Sequence, residues 1–133
     1  MQPIAVKPYT VIVDIDGCIF KHRQQGASVQ WGPCSELLPG VIEQFDLWEK
    51  ECACIVLITA RKESCRALLE EHLLRNGLYW DKLIMGVTSG PRYLINDSKG
   101  QGRSAFAYTM NRNGDLRNAW NRVSSGQCHE DAK

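Results

Sequence analysis

Long apolar runs are missing from this chain. No segment approaches the roughly 20 residues that a membrane-spanning helix needs. A block of charge of one sign is missing too. Lys and Arg number 16 against 15 Asp and Glu, a net charge of +1, and the two signs are mixed along the sequence. Neither a basic stripe for a nucleic-acid backbone nor a basic amphipathic helix for a membrane surface is present. The start, Met1-Gln2-Pro3-Ile4-Ala5-Val6-Lys7-Pro8, lacks the charged opening and long apolar stretch of a secretory signal. There is no internal repeat and no low-complexity segment. These absences lead us to expect a soluble, cytoplasmic protein with neither nucleic acid nor membrane as a partner. At 133 residues it is long enough for one domain with a sizeable core.

Cysteine, by contrast, is plentiful, with six residues. An even count suits disulfides only in an oxidising compartment, and no export signal supports one. A zinc site calls for Cys-x-x-Cys or Cys/His pairs. Here Cys52-x-Cys54 is the one close pair, and His22, His72 and His129 are scattered. Reduced thiols are the expectation.

The hydrophobic pattern predicts strands alternating with helices. Tyr9 to Asp14 reads as a first strand. Cys18 to Pro39 is a long polar connection, a length that suits a binding loop or small hairpin. Pro39-Gly40 opens a helix whose apolar face is Val41, Phe45, Trp48 and Cys52. Ala53 to Ile58 is a second strand. Cys65, Leu68, Leu69, His72 and Leu73 form the stripe of a second helix, which Asn76-Gly77 stops. Leu83 to Val87, Tyr93 to Ile95 and Ser104 to Met110 read as third, fourth and fifth strands, and Asn113-Gly114-Asp115 as a turn. The expected architecture is α/β, a three-layer Rossmann-like parallel sheet with helices on both faces. Residues 1–122 form one domain with a loop or hairpin insertion at about 18–39, and 123–133 form a flexible polar tail.

Chemistry concentrates at the strand tips. Val11-Ile12-Val13-Asp14-Ile15-Asp16-Gly17 is a β-branched run ending in two carboxylates one residue apart. On a regular strand they would face opposite ways, but a turn at Asp16-Gly17 can re-aim the second toward the first. One can then serve as nucleophile and the other as acid/base, around a hard cation. The second strand ends in Thr59-Ala60-Arg61 and the fourth in Asn96-Asp97. Parallel strands bring their C-terminal ends to one edge, so these tips can converge.

In this order and placement the motifs resemble the haloacid dehalogenase-like phosphatases. Asp14-Ile15-Asp16-Gly17 matches that superfamily's first motif, Thr59-Ala60-Arg61 its second, and Leu94-Ile95-Asn96-Asp97 its fourth, over roughly residues 9 to 110. The short spacing between the first two motifs is similar to that of the small members without a globular cap. Asp81-Lys82-Leu83-Ile84-Met85-Gly86 and Leu94-Ile95-Asn96-Asp97-Ser98-Lys99 resemble phosphatases found with capsule and surface-sugar genes.

The resemblance implies that Asp14 attacks phosphorus, forming an aspartyl-phosphate, while Asp16 serves as acid and then base. It implies Mg²⁺ held by Asp14, the Asp16 carbonyl and Asp97, with phosphoryl oxygens on the Thr59 hydroxyl and Ala60 N–H. The family also uses a lysine or arginine from between the third and fourth strands, and Val87-Thr88-Ser89-Gly90-Pro91 contains none. Lys82 and Arg92 open their strands, which would leave them on the order of 15 Å from the catalytic edge. Lys99, followed by Lys62, lies beyond a strand tip on the correct side. His22, Arg23, Arg61 and Trp31 are candidates for contact with substrate. The function expected is Mg²⁺-dependent hydrolysis of a small phosphorylated metabolite such as a sugar phosphate. Its selection would come from the loop or from a neighbouring subunit of a homo-oligomer. The rivals are a polynucleotide end phosphatase, disfavoured by the near-neutral charge, and an inactive binding module of the same fold.

Overall fold

The computed structural model describes residues 8–22 and 36–130. Three short parallel strands form its sheet: β1 (Thr10–Asp14), β2 (Cys54–Ile58) and β3 (Lys82–Ile84), in spatial order β1-β2-β3. Helix α1 (Val41–Lys50) links the first pair. A 3₁₀ turn (Glu63–Cys65) running into α2 (Arg66–Arg75) links the second. Helix α3 (Leu116–Val123) closes the described chain. No described helix is long and apolar enough to cross a membrane.

The strand register explains which side is covered. Val11 pairs with Ile55, Val13 with Leu57, and Leu57 with Leu83. These side chains share one face and one core with Val41, Phe45 and Trp48 of α1, Leu69 and Leu73 of α2, and Leu116 of α3. The opposite face carries Thr10, Ile12 and Asp14, with Ile12 51% and Ile84 44% exposed. The expectation of helices on both faces is therefore not met: all three described helices lie on one. Both crossovers step across the sheet in the same direction, and right-handed connections then place their helices on the same side.

The third strand is shorter than expected, and the fourth and fifth are absent among the described residues. Tyr93, Leu94 and Ile95 are 91%, 54% and 96% exposed. Three apolar residues between Gly90-Pro91 and Asn96-Asp97 make too little buried surface to fix a strand. In 104–110 the one pairing is an isolated bridge from Thr109 to His129. That bridge, with the Asn111 N–H donating to Glu130 Oε2 (3.0 Å), holds residues 124–130 against the body, so the tail is tied down as far as Glu130. Cys52 is exposed, because α1 ends at Lys50 and the chain turns at Cys52 with φ 60°. Gln44 takes a buried place on α1 instead.

Helix α3 is not among the elements expected from the sequence, although its signals are present. Asp115 caps it, accepting from the N–H of Arg117 (2.8 Å) and Asn118 (3.3 Å). Leu116 and Ala119 are buried, and Trp120 stacks on Tyr9 and meets Trp48 edge-on, both at 5.5 Å between centroids. The cap also packs on the start of α1. Gly40 has φ +80°, and a Cβ there would collide with Asp115 Oδ1 and lie 3.0 Å from the Arg117 nitrogen. Gly40→Ala thus combines left-handed backbone strain with a displaced cap. We expect a loss of about 2–4 kcal/mol, read as a lower denaturant midpoint at unchanged slope. A midpoint equal to that of the parent would show that the two helix starts are not coupled.

Candidate functional site

The site grows from the tip of β1. Ile15, Ile19 and Phe20 are fully buried, and the Ile15 carbonyl accepts from the N–H groups of Cys18 (3.3 Å), Ile19 (2.9 Å) and Phe20 (3.1 Å). This tight turn is anchored in the core. Gly17 permits it with φ +93° while donating its N–H to the Phe20 carbonyl at 2.8 Å. The turn falls where the Asp16-Gly17 pair led us to expect it.

Asp14 ends β1 with one oxygen accepting from the Ile15 N–H (3.0 Å) and the other 3.6 Å from Arg92 Nη1. Burial pushes its carboxyl above the usual aspartate range. The Arg92 charge opposes that shift, and the neighbouring Asp16 charge adds to it. Asp16 is gripped in two-pronged fashion by Arg61, with Nε to Oδ2 at 3.0 Å and Nη2 to Oδ1 at 2.9 Å. The Arg61 side chain is only 6% exposed. Such a fork-to-fork pair fixes the carboxylate plane as well as its charge. The Arg61 loop is itself fixed, with its N–H donating to Thr59 Oγ1 (3.1 Å) and its carbonyl accepting from Gly86 (2.8 Å).

The expected position of Arg92 is corrected by the structure: it is the ion-pair partner of Asp14, not a residue about 15 Å away. With no fourth strand, residue 92 is not carried to the far end of the sheet. Lys99, the expected cation, lies in an exposed turn with φ 57°. Lys62 is exposed and accepts the Cys65 N–H on its carbonyl. Thr59 is fully buried, its hydroxyl oxygen occupied with the Arg61 N–H, while Ala60 is exposed at the tip of β2. His22 is half-buried beside Gly17, and Arg23 and Trp31 lie outside the described residues. Cys18 packs near Asp14, and burial, helped by the Asp14 charge, pushes its thiol up to about 12, so it is no nucleophile. The five described cysteines are free.

Asp97 lies on the exposed segment, where its carbonyl accepts from the Ser104 hydroxyl. Among the described residues, no three His, Cys, Asp or Glu side chains come together as a metal site. Both Asp16 oxygens are taken by Arg61 and one Asp14 oxygen faces Arg92. Asp97 is not gathered with Asp14 and Asp16, so the side chains of the expected Mg²⁺ set are not brought together here, and charge at the two acids is balanced by two arginines.

A pH effect follows from Asp14. A carboxyl whose folded pKa exceeds its unfolded value binds more protons in the folded state, so stability falls as pH rises through that interval. We expect the parent protein to lose stability between the ordinary aspartate value of 3.8 and the raised folded value. Asp14→Asn should lack that loss, so the Tm difference between the two should grow in the variant's favour as pH rises through the window. Parallel Tm profiles for the two proteins would contradict it.

No family model matches the chain, and no curated protein matches it. Among solved structures, it is similar to a chain of the Pnkp1/Rnl/Hen1 complex, with a TM-score of 0.56 and 15% identity. The match takes in 99% of this chain and 48% of that one, so this chain spans about half the length of its neighbour. At that identity the likeness concerns the fold, a small α/β unit with a Rossmann-like parallel sheet.

Proposed function

We propose that this chain is a haloacid dehalogenase-like phosphatase that hydrolyses a phosphomonoester, with Asp14 as the nucleophile. The observation that carries the reading is the half-buried Asp14 at the tip of β1, facing the Arg92 guanidinium and next to an Asp16 locked by Arg61. A carboxylate raised by burial is a better nucleophile than a solvated one. Arg92 neutralises charge that would otherwise repel a phosphate dianion, and it is placed to hold a phosphoryl oxygen as the Asp14 oxygen attacks. The exposed Ala60 at the adjacent tip offers a backbone N–H to another oxygen. Asp16, held in one orientation, would take the acid and then the base role through a carboxylate lone pair outside the Arg61 fork.

The fold likeness to a chain of the Pnkp1/Rnl/Hen1 complex is compatible with this reading and does not choose the substrate. A panel of phosphorylated sugars, nucleotides and 3′-phosphorylated oligonucleotides, each with Mg²⁺ and with EDTA, tests it. Release of phosphate from at least one class is expected. Silence across the panel, with the protein folded, would favour the inactive binding module. Activity confined to Mg²⁺ would mean that the cation enters through an acid this arrangement does not gather, Asp97 foremost. Lys99→Met is informative in the same assay. An exposed turn lysine is expected to change turnover by less than about threefold, and a collapse would return the cationic role to Lys99.

A further inference from the structure

The turn at Arg112-Asn113 is clamped onto the loop that follows Asp16. The Asn113 N–H donates to the Gly17 carbonyl (2.9 Å), Asn113 Oδ1 accepts from the His22 N–H (2.6 Å), and Asn113 Nδ2 donates to the His22 carbonyl (3.4 Å). Asn113 makes this clamp in a left-handed conformation, φ 63°, which asparagine tolerates better than most residues. One consequence is that the Arg112 side chain lies over Gly17: its Cγ is 3.4 Å from where a Cβ on Gly17 would stand, with His22 Cβ at 3.7 Å.

Charge singles Arg112 out. Arg61 and Arg92 each face an aspartate, whereas Arg112 is exposed and forms no ion pair among the described residues. Beside it, His22 Nδ1 is buried without a hydrogen-bond partner among the described residues. An unpaired arginine whose stem is seated over Gly17, with a histidine ring nitrogen lacking a partner on the same turn, is suited to a second anionic group at the rim of an anion-handling site. Gly17 lies three positions past Asp14, at most about 10 Å of chain. That is the scale of the gap between two phosphates carried on one sugar.

We propose that Arg112, seated by Asn113 and assisted by His22, forms a rim subsite for a second phosphate, so that the preferred substrates carry two phosphoryl groups a sugar's width apart. This rests on Asp14 and Arg92 receiving the first phosphoryl group. A sugar bisphosphate and a 3′-phosphorylated nucleic-acid end share this chemistry.

Calorimetry with butylphosphonate and 1,4-butanebisphosphonate tests it without turnover. The parent protein is expected to bind the bisphosphonate about 10- to 100-fold more tightly than the monophosphonate. Arg112→Met should bring that ratio close to one, and Arg112→Lys should restore part of it. Asn113→Gly keeps the backbone conformation but removes the side-chain clamp, so it should lower the ratio with Arg112 still present. Equal affinities in the parent, or an undiminished ratio in Arg112→Met, would overturn the subsite. Competition with glucose 1,6-bisphosphate and with a 3′-phosphorylated dinucleotide identifies the carrier, and displacement by neither would also overturn it. If the ratio behaves as expected while Asp14→Asn keeps full phosphatase turnover, the subsite stands and the nucleophile assignment fails.

Discussion

Asp14→Asn is expected to lower phosphomonoester turnover by on the order of 10³-fold or more while the protein stays folded. The substitution keeps the size of the side chain and its place at the end of β1. It removes the charge that attacks phosphorus. The Asn carbonyl can still accept from the Ile15 N–H, which now donates to Asp14 at 3.0 Å. Arg92 loses its partner, but that pair is more than a third exposed on both sides, so its loss should cost little stability. Turnover that survives in a folded Asp14→Asn protein would move the nucleophile elsewhere.

The second large effect belongs to Arg92. Arg92→Met should cost on the order of 10²-fold in turnover, the scale seen when one preorganised charge-stabilising donor is deleted. Arg92→Lys should recover only part of it, because a lysine cannot present the planar fork. The Tm is expected to change little, since the 3.6 Å contact with Asp14 is a loose, part-exposed ion pair. Arg61→Met is the instructive contrast. Arg61 is buried and holds both Asp16 oxygens, so its removal leaves a carboxylate without its partner and should cost both activity and stability. A normal Tm in Arg61→Met with turnover intact would mean that the Asp16 clamp has no part in the site.

The central half of the fold was legible from the residues because it is local. The β-branched runs 10–14 and 54–58 form the two longer strands, and the helical spacing of Val41, Phe45 and Trp48 marks the buried face of α1. Cys65, Leu69 and Leu73 are buried where the stripe placed them. The turn after Asp16 was legible too, from the Asp-Gly pair. What failed depended on partners distant in sequence. Tyr93 to Ile95 has strand-like residues, but strand formation needs a neighbour and enough length, and the run stays exposed. The failure carried a second one with it, since the distance assigned to Arg92 assumed that strand. Helix α3 was missed because its sequence is polar overall. Its amphipathic signal is Leu116, Ala119 and Trp120 behind the Asp115 cap, and its reason to fold is the stack of Tyr9, Trp120 and Trp48. The arginine clamp on Asp16 shows in the sequence only as an arginine three residues past a strand end. Its two-pronged geometry depends on Thr59 and Gly86 fixing the loop.

The central claim, attack on phosphorus by the Asp14 carboxylate, is tested most directly by trapping the covalent intermediate. Enzyme mixed with excess substrate is quenched in acid within one turnover, digested and read by mass spectrometry. The account predicts one added phosphoryl group on the peptide that carries Asp14, labile to hydroxylamine as an acyl phosphate should be, and absent in Asp14→Asn. Phosphate release with no phosphorylated peptide, or with the group on any other residue, would contradict it.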